Sequence, residues 1–259
     1  MIYIHDRAEP FYLQGNNDTA LLFLHGFTAS PGEVRTVAEK INAASGCTVS
    51  GPLLPGHGSH PSFLNTTGYS DWYRTVEDEL SFLQKHYTNV YVAGLSMGGL
   101  LAMYAGLYHP GLRGVITINA PIFIHHPCLT RLFLMVKGIL PFFPKGDKKE
   151  QKVLADKGRF AYPVMPLKAF ASMDELRKLV MNNINRLSLP LLIIQSLRDG
   201  SVHHHSAVWL QKQVNHPAIQ TVFLEKSGHV ATMGEEQDII AAAILSFIKN
   251  RQKTGGIMI

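Results

Sequence analysis

Val90-Tyr-Val-Ala-Gly94-Leu-Ser96-Met-Gly98-Gly99 joins an apolar strand to an apolar helix through a serine framed by glycines. The pattern is G-x-S-x-G, with a strand-like run before it and the helical residues 97–108 after it, closed by His109-Pro110. A chain that turns this sharply from strand to helix holds its central residue in a strained conformation, with the side chain lifted above the sheet. Gly94 and Gly98 remove side chains that would collide with neighbouring backbone. The following helix aims its free amides and positive end at charge developing near Ser96. The short pattern arises by chance in many chains, but the strand-turn-helix context makes Ser96 a candidate nucleophile.

Moving out from this turn, both flanks alternate strands and helices. Residues 20–24 form a continuous apolar run, as expected of a strand buried on both faces. In the helix that follows, Ser30 suits the N-cap, Pro31 the first position and Glu33 a capping box. Val34, Val37, Ala38 and Ile41 share its inner face. A strand is expected over 48–54, and an amphipathic helix over 71–87 on Trp72, Val76, Leu80 and Leu83. Strands follow at 89–93 and 115–119, and after a gap at 189–195 and 220–224. Helices at 206–214 and 235–249 complete the series. The alternation predicts an α/β fold, a mostly parallel sheet with helices on both faces. Ligands then sit at the carboxyl ends of the strands. Between 122 and 187 the alternation stops, and no convincing strand is visible. This segment reads as a helical cap insertion over the active edge, with 1–121 and 188–259 forming the core.

A serine hydroxyl is a weak nucleophile and needs a base held by an acid. His229, in Ser227-Gly-His-Val-Ala231, follows the 220–224 strand. Asp199, in Leu197-Arg-Asp-Gly-Ser-Val202, follows the 189–195 strand. Both therefore belong to the edge that carries Ser96, and the chain order Ser96, Asp199, His229 is one this chemistry uses. Acyl transfer also needs two donors for an oxyanion. The Met97 amide is one, and the Phe27 amide, exposed by the turn at Gly26, is the other. Competing assignments are weaker. Glu225 is too close in sequence to His229 to support it independently, and Asp174 and Glu175 read as a solvated helix face. His25 reads as a loop-packing residue, and His57 and His60 as structural residues of a Gly/Pro loop. His203-His-His205 suggests metal, but adjacent histidines are expected to diverge, and no HExxH or cysteine cluster accompanies them. The proposed chemistry calls for no metal and no cofactor.

Composition narrows the class. Of 259 residues, 46% are hydrophobic and 17% charged, which suits a large buried core. The net charge is +5, but the 24 basic residues are scattered. The densest stretch, residues 145–149, includes Asp147 and reads as a solvated loop, so no nucleic-acid partner is expected. Two cysteines, Cys47 and Cys128, are too few for a disulfide framework, and no signal peptide is visible, so a cytoplasmic location is expected. The greasiest stretch, residues 129–143, is broken by Arg131, Lys137, Gly138 and Pro141, too short to span a bilayer.

Taken together, Leu24-His-Gly-Phe27, Pro55-Gly-His-Gly58, Gly94-Leu-Ser-Met-Gly-Gly99, Asn119-Ala-Pro121, Arg198-Asp199 and Ser227-Gly-His-Val-Ala-Thr232 resemble the α/β-hydrolase fold. More narrowly, the chain resembles the small bacterial carboxylesterases and monoacylglycerol lipases, from about residue 8 to the last helix and most weakly across the insertion. The resemblance implies a catalytic Ser96, Asp199 and His229, oxyanion donors at Phe27 and Met97, and a cap over 122–187. Ile122, Phe123, Leu132, Phe133 and Leu140 are the candidate acyl-chain contacts there. The substrate expected is a small ester or lipid, with short- to medium-chain carboxylesterase first and monoacylglycerol lipase second. Acyltransferase, thioesterase and lactonase use the same triad. A non-catalytic binding module would lack a complete triad, and an apolar cap is compatible with transient contact with lipid surfaces.

Overall fold

The computed structural model describes residues 3–146 and 148–254. Nine strands are present among them: β1 (Phe11–Leu13), β2 (Thr19–Leu24), β3 (Thr48–Gly51), β4 (Asn89–Leu95), β5 (Gly114–Ile118), β6 (Phe142–Pro144), β7 (Val164–Pro166), β8 (Leu191–Ser196) and β9 (Ile219–Leu224). Seven of them make one sheet in the order β1-β3-β2-β4-β5-β8-β9. Every pairing in it is parallel except the short antiparallel β1–β3 edge.

The two-residue period of a strand sorts the core into two layers. Leu21 and Phe23 of β2, with Tyr91 and Ala93 of β4, face helices α1 (Gly32–Ser45) and α9 (Gln237–Thr254). Leu22, Leu24, Val90 and Val92 face the other way. They meet α3 (Tyr69–His86) and α4 (Met97–Tyr108), with α8 (His205–Gln213) further along the same layer. Each fully buried leucine contributes about 1.5–3 kcal/mol. Trp72 is fully buried and still satisfies its indole N–H, which donates to Thr67 Oγ1 at 3.1 Å. No helix among the described residues is long and apolar enough to cross a membrane.

Three local expectations give way to tertiary contacts. Ser30 does not cap α1 through its side chain; its Oγ donates to Arg7 O at 3.2 Å, and Glu33 turns inward. The last helix starts at Gln237, because Glu236 receives the amides of Glu225, Lys226 and Ser227 at 2.7–3.0 Å. Asp174 is buried and paired with Arg177 and Lys178 at 2.6 and 2.8 Å, so it is not a solvated residue.

Residues 122–187 leave the sheet after β5 and return before β8. Besides helices α5 (Pro127–Val136), α6 (Lys148–Asp156) and α7 (Leu167–Asn183), they hold the antiparallel pair β6–β7, contrary to the expectation of no strand. Each of these strands has three residues and ends in proline, which hides it from a pattern search.

Candidate active site

Ser96 sits between β4 and α4 with φ 54° and ψ −116°, a left-side conformation that a serine adopts only when its surroundings impose it. The glycines have the expected steric cause. A Cβ on Gly94 would lie 2.0 Å from the Gly98 backbone, and one on Gly98 would lie 2.3 Å from Leu24 O. Ser96 N–H donates to Ile118 O at 2.8 Å, which fixes the turn to β5.

His229 and Asp199 reach Ser96 from the ends of β9 and β8. His229 Nε2 is 3.0 Å from Ser96 Oγ, and His229 Nδ1 is 2.8 Å from Asp199 Oδ2. The second carboxylate oxygen of Asp199 accepts the Ser201 and Val202 amides at 2.8 and 2.9 Å, so the acid is held from both sides. Burial pulls the His229 pKa down, but the charge and hydrogen bond of Asp199 outweigh it and hold it above the ordinary value. The ring therefore takes up a proton more readily than an isolated buried imidazole. The amide N–H groups of Phe27 and Met97 have no acceptor among the described residues; Met97 directly follows Ser96, and Phe27 lines the same cavity as Ser96. Such free donors are what a developing oxyanion requires.

A cavity of about 470 Å³ opens over Ser96 and His229. Most of its wall is apolar, with Phe27, Phe133, Phe143, Met165 and Phe170 prominent. Its charged part comes from Glu33, Lys145 and Arg159. Of the five candidate acyl contacts, Phe133 lines the cavity. Ile122 is in the core, Phe123 packs on Trp209 with ring centroids 5.9 Å apart, and Leu132 and Leu140 are exposed. Leu140 and Leu132 lie on the outer side of the segment because Phe133, Phe143 and Phe170 fill its inner side.

The charged group has no counterpart in the sequence reading. Glu33 is fully buried; its Oε1 receives the Gly26 N–H at 2.5 Å and its Oε2 pairs with Arg159 Nε at 3.0 Å. Lys145 is not the solvated residue expected of its stretch. Its amine donates to Thr28 Oγ1, and burial pushes its pKa down to about 7. Asp147, in the same stretch, lies outside the described residues. Asn119 was visible only as part of a motif. With φ 48°, it receives the Ser196 N–H at 2.7 Å and donates to His229 O at 2.8 Å, which ties the end of β8 to the loop that carries His229. An asparagine directly after β5, the strand that pairs with the one leading into Ser96, is the signal that could have found it, since Asn tolerates positive φ better than most residues.

His25 is buried, its Nε2 accepting the Leu54 N–H at 3.2 Å, and His57 packs edge-on against it at 4.9 Å. His60 Nδ1 accepts the Ser62 N–H at 3.3 Å at the start of a short helix, α2 (Pro61–Leu64). Glu225 lies on the surface, with its amide held by Glu236. His203, His204 and His205 do not diverge: their rings cluster, tilted or edge-on to one another, with centroids 4.4–4.7 Å apart.

A model of the alpha/beta hydrolase family matches residues 21–243. The chain is 32% identical over 240 residues to the thermostable monoacylglycerol lipase of Bacillus sp. (strain H-257), which covers 93% of this chain and 94% of that protein. It is 27% identical to a carboxylesterase of Bacillus subtilis (strain 168), over 93% and 96% of the two chains. Among solved structures, one from work on two metagenome-derived lipolytic enzymes, LipS and LipT, aligns with a TM-score of 0.85 at 28% identity, over 96% of this chain and all of that one. The monoacylglycerol lipase of Paleococcus ferrophilus aligns with a TM-score of 0.78 at 16% identity, over 94% and 99%, a likeness of fold.

Proposed function

The chain belongs to the alpha/beta hydrolase family and is a carboxylic ester hydrolase; we propose that it acts on short- to medium-chain acyl esters through Ser96, His229 and Asp199. The observation that carries this reading is the unbroken chain of contacts from Ser96 Oγ to His229 Nε2 at 3.0 Å and from His229 Nδ1 to Asp199 Oδ2 at 2.8 Å. His229 removes the Ser96 proton as Oγ attacks the ester carbonyl, and the carbonyl electron pair moves onto oxygen between the Phe27 and Met97 amides. The tetrahedral intermediate collapses, the C–O bond to the alcohol breaks, and the imidazolium gives its proton to the leaving alkoxide. Water then repeats the sequence on the acyl-enzyme, releasing the acid and restoring Ser96. Asp199 keeps the imidazole in the required tautomer throughout.

In this reading residues 122–187 form the cap, and the apolar wall of the cavity, Phe133 included, receives the acyl chain. A cavity of about 470 Å³ is in the size range of a small-ligand site. The charged wall favours monoacylglycerol as a second substrate class, since Glu33, Arg159 and Lys145 offer partners to a hydroxylated alcohol. Met135 and Ile139 stand 80% and 90% exposed on this segment, which supports transient contact with lipid surfaces. Both cysteines are free, which fits a cytoplasmic location.

Replacing Ser96 with alanine tests the chemistry. Turnover of p-nitrophenyl butyrate should fall by at least about 10⁴-fold with the fold intact, and fluorophosphonate labelling should vanish. Retained turnover in that variant refutes the assignment. A panel of esters of increasing acyl length, with 1- and 2-monoacylglycerols included, separates the two substrate classes.

A further inference from the structure

Beside the Asp199 loop, four imidazoles gather that the ester chemistry does not use. His203, His204 and His205 each offer a ligand atom, and these atoms all lie within 4.8 Å of one another. His125, from the segment leaving β5, packs against His203 with the rings tilted at 45° and their centroids 5.0 Å apart. None of the four lines the catalytic cavity.

His125 carries the decisive detail. Its Nε2 is 2.9 Å from the carbonyl oxygen of Asp199. A carbonyl only accepts, so Nε2 holds the ring proton and donates it, which leaves a lone pair on Nδ1. Histidines that bind metal are held in this way, one ring nitrogen donating to a backbone carbonyl while the other is free to coordinate. His203 Nδ1 accepts the His205 N–H at 3.2 Å, so coordination through its other nitrogen moves the ring proton and releases one long turn hydrogen bond. The positive end of α8 opposes a cation, so binding rests on the imidazole donors and not on the helix field.

We propose that His125, His203, His204 and His205 form a binding site for a transition-metal ion that favours imidazole, of the Zn²⁺, Ni²⁺ or Cu²⁺ class. The site straddles a junction. His203 N–H donates to Phe123 O at 2.8 Å, His125 N–H donates to Ser201 O at 3.1 Å, and Ile124 bridges Val202. A bound ion ties the start of the inserted segment to the loop that carries Asp199, and it does so without touching Ser96.

The test is calorimetric titration of ZnCl₂ and NiCl₂ into the untagged, EDTA-treated full chain, with thermal unfolding followed in parallel. The wild type should bind one ion saturably and unfold at a higher temperature with the metal present. His204→Ala/His205→Ala should bind at least about tenfold more weakly and lose the shift in unfolding temperature, since loss of a supporting group alone costs 10–100-fold. Unchanged unfolding of that variant without metal shows that it is folded. Absence of saturable binding by the wild type overturns the proposal, and so does equal binding by the variant, which puts the ion elsewhere. Neither readout depends on ester cleavage.

Discussion

Arg159 reaches from the inserted segment to Glu33 at the start of α1, with Nε 3.0 Å from Oε2, and this pair joins the roof of the cavity to its floor. The same carboxylate receives the Gly26 N–H, one residue before the proposed oxyanion donor Phe27. Arg159→Met strands a buried charge, and should cost about 3–5 kcal/mol by denaturant unfolding at pH 7. Glu33→Gln/Arg159→Met should cost less than Arg159→Met alone, because the stranded charge is gone. If the double variant is the less stable of the two, the pair is not what holds this region.

Esterase activity should depend on pH through His229. The base must be neutral, and Asp199 holds its pKa above 6.5 against the pull of burial. The log of kcat/KM should therefore rise with pH up to a value above 6.5 and then level off. Asp199→Asn should shift that inflection down and lower kcat by about 10⁴-fold. The stability effect has the opposite sense. A raised folded pKa stabilises the protein below the unfolded pKa, and the contribution is lost as pH rises through the folded value. An unmoved inflection in the Asn variant contradicts the assigned role.

Lys145 should make the protein less stable at low pH than at high pH. Its folded pKa of about 7 lies below the ordinary lysine value, so between these values the folded chain binds fewer protons than the unfolded one. Stability rises with pH across that window, and the full cost applies below it. Lys145→Met removes this cost, and should raise the unfolding temperature more at pH 6 than at pH 10. A gain independent of pH contradicts a buried amine.

Phe133 packs on Phe143 and Phe170 with ring centroids at 4.7 and 5.7 Å, and lines the cavity. Phe133→Ala opens that wall. The ratio of kcat/KM for octanoate over butyrate esters should rise about tenfold or more, since a single methylene in an apolar pocket discriminates by about that factor. Stability should fall by about 3–5 kcal/mol. An unchanged ratio places the acyl chain against another wall.

Much of the site is legible in the sequence. The turn at Ser96 is largely a local problem: a Cβ on Gly94 would lie 2.0 Å from the Gly98 backbone, while one on Gly98 would meet the neighbouring strand at Leu24 O, 2.3 Å away. Such a requirement leaves its mark in consecutive residues. Asp199 and His229 were legible for a second reason. A parallel sheet sends all its carboxyl ends to one edge, so a residue just after any strand arrives there whatever lies between.

The wall of the cavity was not legible, because its partners are far apart in sequence and their pairing depends on burial. Glu33 fits a capping-box template three residues after Ser30, and a helix start is a local code. The fold overrides it with an arginine 126 residues away. Lys145 reads as solvated within a charged stretch, and only the packing of the inserted segment over Thr28 encloses its amine. His203, His204 and His205 look divergent as a tripeptide, until the turn into α8 gathers them beside His125. The juxtaposition of Ser96, His229 and Asp199 is thus written in local backbone demands and strand order. The chemical character of the space above it is set by long-range desolvation, which forces buried charges to find one another only once the chain has closed.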